Sequence, residues 1–181
     1  AEVGKARAGD EADMAGSDKT LSETEAVLAT KIGKELILHS ALSVARTFYD
    51  LIILDCPPNL GIIAFNAAVC SDFFVVPCNL SRTPIDGMND LVETIKIAKK
   101  DDGFSSYKVL VTMFDSREKI INTTILSALE ESKIPVFKNR IPRSTEVKKA
   151  EVLRTSVFDY KPGSKAAVSY QNLAEEILCP N

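Results

Sequence analysis

A nearly continuous apolar stretch that ends in an acidic residue and two prolines constrains this sequence more than any other feature. Residues 49–54 read YDLIIL, and Asp55, Cys56, Pro57 and Pro58 follow directly. Such a run is typical of a strand that is buried on both faces of a parallel sheet, and the proline pair is typical of the turn that ends it. We therefore expect a central parallel strand here, with Asp55 at its carboxyl end.

Further apolar runs alternate with segments of helical periodicity. Strands are predicted at residues 73–76 and 107–114, with a short candidate at 136–137. Helical patterning covers residues 21–48, with a break at Gly33, and then 60–70, 85–100, 120–132, 145–154 and 164–178. This alternation predicts the α/β class, a three-layer parallel sheet with helices on both faces. Such sheets bind ligands beyond the carboxyl ends of their strands.

Length and composition narrow the class further. The chain has 181 residues, which suits one α/β domain over residues 21–181 after a polar lead-in or truncation edge at 1–20. A net charge of -3 argues against a protein that coats nucleic acid with its whole surface, so any DNA contact must be regional. No apolar run reaches the roughly 18 residues of a membrane span, and we expect no membrane association. Four cysteines without ligand spacing favour a reducing, cytoplasmic location.

Asp55 is the strongest candidate for chemistry. A carboxylate at the tip of a buried strand is where P-loop nucleotidases hold a magnesium-bound water. The alternative is an ordinary turn or cap residue, since aspartate is common at strand ends. The Pro57–Pro58 pair and the segment after it favour the first interpretation.

That segment carries a family resemblance. YDLIILDCPPNLGIIAFNAAVCSDFFVVPC resembles the YDxIIIDxPPxLGxLTxNAL run of the ParA-type partition ATPases, which belong with MinD and Soj to the deviant P-loop superfamily. The later segments PIDGMNDLVETI, VLVTMFDSR and VFKNRIPRSTEVKKAE are also similar to that family, in the same order. The resemblance covers residues from about 21 to 178, and it implies a P-loop NTPase-like fold of the ParA/MinD type.

The resemblance also implies roles for individual residues. Asp55 matches the Walker B carboxylate, which holds Mg2+ through water and serves catalysis, while Pro57, Pro58 and Gly61 match the adjoining switch that responds to the γ-phosphate. The adenine pocket of the family falls at Thr112, Met113, Asp115, Pro142 and Arg143. A Thr-Met strand end is equally typical of ordinary core. Asn66 either braces the switch or merely decorates a helix.

A basic stretch lies in the C-terminal third. Six basic residues stand against two acidic ones between Lys138 and Arg154, in an acidic protein. ParA-type proteins bind DNA nonspecifically through surface Lys and Arg, and such contacts weaken with salt. The alternative is a solvated helix face with paired charges. The predicted DNA-binding residues are Arg117, Lys119, Lys138, Arg140, Lys148 and Lys149.

Three elements of the family do not occur in this sequence. No G-x-x-x-x-G-K-[ST] loop is found, although a P-loop ATPase cradles its phosphates with such a turn. The family's early lysine, which reaches a partner's nucleotide, and the acidic residue of its first switch are also missing. We expect a fragment whose N-terminal part lies outside the sequence; a naturally short relative is the other explanation. Whether the chain alone is an active enzyme is left open.

The function that the resemblance implies is ATP-dependent partition of a plasmid or chromosome. ATP and Mg2+ would be the cofactors, the active form would be a homodimer bound to nonspecific DNA, and a ParB-like centromere-binding protein would stimulate hydrolysis. Such a protein is cytoplasmic and can associate with the nucleoid. The alternatives are a nonhydrolytic ParA-like interaction module and a MinD-type positioning protein. The short acidic C-terminus lacks the basic amphipathic helix expected of the latter.

Overall fold

The computed structural model describes residues 3–4, 13–16, 25–28, 30–57, 61–80, 85–101, 104 and 106–179. The chain divides into two compact units, each of which we describe by itself. The first unit contains Ala1–Asp72 and Asp90–Phe104, and the second contains Phe73–Asn89 and Ser105–Asn181. The interpretation of residues 21–181 as a single domain stays a prediction.

The first unit is built mainly from short helical pieces. Its elements are strand β1 (Val3–Gly4), which pairs antiparallel with β2 (Met14–Ala15), a 3-10 turn at Lys34–Leu36, helix α1 (Ile37–Ala41), a 3-10 turn at Ala45–Thr47 and helix α2 (Ile62–Cys70). Residues 25–28 are helical as well. Gly33 has a φ of 68°, a left-handed conformation that glycine adopts at no steric cost. The described residues confirm the predicted break at Gly33, but the helical region between residues 21 and 48 forms several short pieces separated by turns rather than two helices.

The strand predicted at residues 49–54 is wrong. Residues 51–57 are neither helical nor paired, and no backbone hydrogen bond joins them to another described segment. Ile53 is 82% exposed and Leu51 is 54% exposed, so the run is not buried on both faces. An apolar run becomes a strand only where a neighbouring strand satisfies its N–H and C=O groups. The described residues provide no such neighbour here.

The second unit carries the parallel sheet. Its elements are strand β3 (Phe74–Asn79), helix α3 (Ile85–Lys99), which continues into the first unit, strand β4 (Tyr107–Thr112) and helices α4 (Lys119–Glu131), α5 (Thr145–Val152), α6 (Val157–Tyr160) and α7 (Lys165–Leu178). Each lies within a few residues of its predicted place, except α6, which was not predicted. The α/β class with a parallel sheet is confirmed.

Strand β4 has neighbours on both sides. It pairs in parallel with β3, with Phe74 opposite Tyr107. On its other side Val109 forms a parallel bridge with Val136, which is what remains of the strand predicted at residues 136–137. The Val109 N–H donates to the Pro135 carbonyl at 2.8 Å. Because both edges of β4 are paired, its apolar run is held as a strand.

The core of the second unit lies beside this strand. Leu110, Phe137, Ile141 and Leu173 form a buried cluster, against which Tyr170 and Ile177 of α7 pack. Three helices of this unit begin with serine caps, because the Ser144, Ser156 and Ser164 hydroxyls each accept a backbone N–H of the following turn. Within the described residues, no helix is both long and apolar enough to cross a lipid bilayer.

Candidate functional site

The predicted metal-binding carboxylate lies on an extended, exposed segment of the first unit. Asp55 is exposed and, among the described residues, its carboxylate has no hydrogen-bond or ion-pair partner. Burial raises the pKa of the neighbouring Cys56 thiol, and the charge of Asp55 raises it further. Pro57 is half-buried, whereas Pro58 lies outside the described residues. Gly61 is the N-cap of α2, with an extended backbone and no side-chain cap.

Asn66 is a buried side chain of the first unit whose amide is fully hydrogen-bonded. It is 3% exposed, and its amide makes three hydrogen bonds. The Leu38 N–H donates to Oδ1 at 3.1 Å, while Nδ2 donates to the Lys34 carbonyl at 2.8 Å and to the Ile62 carbonyl at 2.9 Å. Asn66 therefore fastens α2, the helix that follows the predicted switch, to residues 34–38.

Two cations bind the other end of α2. Lys99 Nζ donates to the Val69 carbonyl at 3.1 Å and to the Ser71 carbonyl, and Arg46 donates to the Cys70 carbonyl. Positive charge at a helix C-terminus offsets the unpaired carbonyls and the negative end of the helix dipole. Sequence reasoning missed both residues, because their partners lie 24 to 30 positions away and no local pattern marks them.

The predicted adenine-pocket residues come together at the carboxyl end of β4. Phe114 forms a parallel bridge with Pro142, and the Arg143 N–H donates to the Phe114 carbonyl at 3.0 Å. The Thr112 hydroxyl donates to the Cys78 carbonyl at 3.3 Å. Met113, which is 50% exposed, has a φ of 53°, a conformation that few non-glycine residues adopt. All five predicted residues thus lie at the carboxyl end of β4 or in the loop beside it. Their contact with adenine stays a prediction.

Asp115 is held by Arg117. Asp115 Oδ1 accepts the Arg117 backbone N–H at 3.0 Å and Nε at 2.8 Å, and Oδ2 accepts Nη2 at 2.5 Å. These bonds from Arg117 hold the pKa of Asp115 well below its usual range. Glu118 N–H and Asn122 Nδ2 both donate to the Asp115 carbonyl, at 3.1 and 2.9 Å. Asp115 therefore ties together the turn that follows β4.

The loop that carries Pro142 is fastened at its start by Glu176. The Glu176 carboxylate accepts the backbone N–H groups of Lys138 and Asn139, at 2.9 and 3.1 Å, and Asn139 Nδ2 at 2.8 Å. Burial raises the pKa of Glu176, but these donors outweigh it and the pKa is lowered. Sequence reasoning missed this carboxylate as well, since α7 shows only an ordinary acidic residue there.

The predicted DNA-binding residues are all exposed and all belong to the second unit. Arg117 has an exposed side chain but pairs with Asp115, and the Arg140 guanidinium lies 5.0 Å from the centroid of the Phe114 ring. Lys148 and Lys149 are exposed on α5, whose buried residue is Ala150. Their remaining companions, Lys119 and Lys138, are exposed as well.

Each unit, taken by itself, offers residues of a type that suits one part of a magnesium nucleotide. Mg2+ is usually bound by one or two carboxylates together with water and phosphate oxygens, which suits the exposed carboxylate of Asp55. The edge beyond β4 suits a base, because α/β sheets bind ligands beyond their carboxyl ends. The sequence does not contain the glycine-rich loop that cradles the phosphates. The described residues hold no group of three or more His, Cys, Asp or Glu side chains placed to bind a metal.

Comparison with protein families places much of this chain in a known family. The AAA_31 model, described as an AAA domain, matches residues 2–109 of this chain. The match covers Asp55, the proline turn, Asn66 and β3. It ends within β4, before the predicted adenine-pocket residues.

Curated relatives match most of this chain. The sporulation initiation inhibitor protein Soj of Bacillus subtilis is 31% identical over 159 residues, which cover 87% of this chain and 63% of Soj. The chromosome partitioning protein ParA of Myxococcus xanthus is 29% identical over 160 residues, covering 87% of this chain and 56% of that protein. The chain thus spans about 60% of the length of these relatives.

A solved structure shows the same fold. Cobyrinic acid a,c-diamide synthase from Mycobacterium smegmatis, crystallised with an ATP analogue and magnesium, superposes with a TM-score of 0.73 at 24% sequence identity. The likeness covers 90% of this chain and 61% of the synthase. At that identity the likeness shows the fold alone.

Proposed function

Since this chain belongs to the AAA_31 family and to the ParA/MinD-type partition ATPases, we propose that it binds DNA and a nucleobase in an ATP-dependent partition switch. Partition of a plasmid or chromosome is the proposed task. The proposal depends on one observation, that the second unit contains both kinds of residue. The predicted base-binding residues lie together at the carboxyl end of β4, and the six predicted DNA-binding side chains are exposed in the same unit. The first would take a nucleobase and the second would take DNA.

On the nucleotide side, each predicted residue has a definite part. Thr112, Met113 and Pro142 would contact the base beyond β4, with Asp115 and Arg143 at its border. In the first unit, Asp55 would hold Mg2+ through water, and Pro57, Pro58 and Gly61 would sense the state of the γ-phosphate. The magnesium ion, when bound, would neutralise charge that develops on the phosphates. Asp55 would order the water between its carboxylate and the metal.

On the DNA side, the surface lysines and arginines would bind phosphates without reading sequence. Lys148 and Lys149 are adjacent on α5 and exposed, so their charges are accessible to a duplex. Glu146 of the same helix is neutralised in part by Lys161, 3.4 Å away. Phosphate contacts of this kind release counterions, and the affinity therefore falls with salt. Lys119, Lys138 and Arg140 would extend the surface.

The remaining parts of the proposal concern partners and place. We propose that two copies pair when nucleotide is bound, that the pair binds DNA, and that a ParB-like centromere-binding protein stimulates hydrolysis. The protein would then work in the cytoplasm, on the nucleoid. Each of these properties is proposed at the level of a whole partition protein, since the chain spans about 60% of the length of the relatives it matches.

The test is DNA binding by fluorescence anisotropy, with a nonspecific duplex, over a salt series from about 50 to 200 mM and with or without Mg-ATP. We expect Lys148→Glu with Lys149→Glu to weaken binding and to reduce the salt slope by about 0.9 for each DNA phosphate that the variant no longer neutralises. Lys31→Glu with Lys100→Glu, which makes the same charge change in the first unit, should leave the slope nearly unchanged. Asp55→Ala should remove any difference that Mg-ATP makes.

Two outcomes would count against the proposal. Equal slopes for the α5 variant and the wild type would remove α5 from the DNA surface. Binding that is identical with and without Mg-ATP in the wild type would reject the switch and leave a constitutive DNA-binding module.

A further inference from the structure

The turn between β4 and α4 holds one arginine in a fixed orientation. Arg117 is 84% exposed, whereas the carboxylate that holds it, Asp115, is 11% exposed. Long exposed arginines ordinarily sample many rotamers and lose conformational entropy when they are fixed. Here the side chain is already fixed by ordered bonds. A bidentate arginine–carboxylate pair orients the guanidinium whether or not it also stabilises the fold, so the remaining exposed donors of Arg117 are already oriented for a ligand.

The bonds leave one edge of the guanidinium facing outward. Asp115 takes Nε and Nη2, which form one side of the planar fork. Among the described residues, Nη1 has no hydrogen-bond partner, although the charge of Glu118 also acts on the guanidinium. An arginine fork can bind a carboxylate along one edge and a phosphate along another, because its five N–H donors lie in one plane. The free edge therefore suits a phosphate oxygen.

The turn itself is anchored from behind. Asn122, which is 8% exposed, lies on α4 and donates through Nδ2 to the Asp115 carbonyl at 2.9 Å. Its own N–H donates to the Glu118 carbonyl at 2.9 Å. A chain of bonds thus runs from the buried amide of Asn122, through the backbone and side chain of Asp115, to the guanidinium of Arg117. Neither Asp115 nor Asn122 needs to touch the ligand for this chain to operate.

We propose that Asp115 and Asn122 are positioning residues that orient the Arg117 guanidinium to receive a phosphodiester of DNA. The inference rests on the proposed function, since it takes DNA as the ligand. It gives Asp115 a role in DNA binding, in addition to the predicted place beside the base. It also makes a prediction opposite in sign to simple electrostatics, by which removing a carboxylate from a DNA-binding surface should tighten binding.

The experiment is a double-mutant cycle read by the same anisotropy assay. Asp115→Ala and Asp115→Asn remove the same charge, but asparagine retains one acceptor oxygen for Arg117. We expect Asp115→Ala to weaken DNA binding at least about 3-fold, Asp115→Asn to weaken it less, and neither to weaken it further in an Arg117→Ala background. Asn122→Ala leaves the charge unchanged and should likewise weaken binding only when Arg117 is present. Thermal unfolding followed by circular dichroism checks that each variant is folded.

The outcomes separate this inference from the proposed function. If both Asp115 variants bind DNA equally well or more tightly than the wild type, the carboxylate acts only through its charge and the inference is overturned. Binding that Arg117→Ala leaves unchanged also overturns it, while the α5 lysines remain as the proposed surface. If the wild-type chain does not bind DNA at any salt concentration, with or without Mg-ATP, both the proposed function and this inference are rejected.

Discussion

Two apolar runs of this chain have nearly the same sequence character and opposite structural outcomes. Residues 51–54 read LIIL, and residues 109–111 of β4 read VLV. Val109 and Val111 are fully buried within a strand that is paired on both sides, whereas Ile53 is 82% exposed and has no strand partner among the described residues. The comparison teaches that apolar character permits burial but does not produce it. Hydrogen-bonded neighbours decide whether a run becomes a strand.

The largest expected effect is on the free energy of unfolding, and it compares a buried isoleucine of the second unit with the exposed isoleucine of the unpaired run. Ile141→Ala removes a side chain that is 4% exposed within the core cluster of the second unit, so we expect it to cost about 2 to 5 kcal/mol of unfolding free energy. Ile53→Ala removes the same atoms from an exposed site and should change stability by no more than about 0.5 kcal/mol. Urea unfolding measures both.

A large loss of stability in Ile53→Ala would break the comparison. It would mean that the side chain is buried in solution, against a second copy or another segment. Repeating the unfolding at several protein concentrations separates these cases, because burial against a second copy makes the midpoint depend on concentration.

The sequence predicted the elements whose signals are local, and it failed where the cause is distant. The β4 run, the helix of residues 119–131 and the serine start of α7 all carry periodicity or cap signals within a few positions. The strand at residues 49–54 depended on partners that the run itself does not encode. Glu176 binds a loop 37 to 38 positions away, and no local pattern distinguishes it from a solvated glutamate. The grouping of Met113 with Arg143 followed from family resemblance, not from periodicity.

The two buried asparagines provide a second, smaller comparison between the units. Within the part of the chain that the structure describes, the Asn66 amide makes three hydrogen bonds, whereas the Asn122 side chain makes one, to the Asp115 carbonyl. Asn66→Ala removes the acceptor of the Leu38 N–H and the bond that Nδ2 donates to the Lys34 carbonyl, and each such hydrogen bond contributes about 0.5 to 1.5 kcal/mol. We expect a larger loss of stability for Asn66→Ala than for Asn122→Ala in urea unfolding. Faster hydrogen exchange of the Leu38 amide would identify the broken bond.

If the two variants lose equal stability, the number of side-chain hydrogen bonds does not determine the loss of unfolding free energy. The hydrogen-exchange rate of the Leu38 amide then shows what holds α2 in place. An unchanged rate at Leu38 would show that α2 is held to residues 34–38 by packing rather than by the Asn66 amide.

The smallest expected effect concerns acid stability and a single cap of the second unit. The pKa of Glu146 is lowered from 4.5 to about 2, first by its own backbone N–H and then by the Ser144 hydroxyl and Lys161. A carboxyl with a lowered pKa in the folded state contributes stability above its unfolded pKa, and that stability is lost as the pH falls through the folded value. We therefore expect part of the stability to disappear between about pH 4.5 and pH 2. Glu146→Gln should reduce the change of the thermal unfolding midpoint with pH over that window. Glu151→Gln, which replaces an exposed carboxylate on the same helix, should leave that change as it is in the wild type. Parallel curves for Glu146→Gln and the wild type would show that the cap makes no ionic contribution, and α5 would then depend on the Ser144 hydroxyl alone.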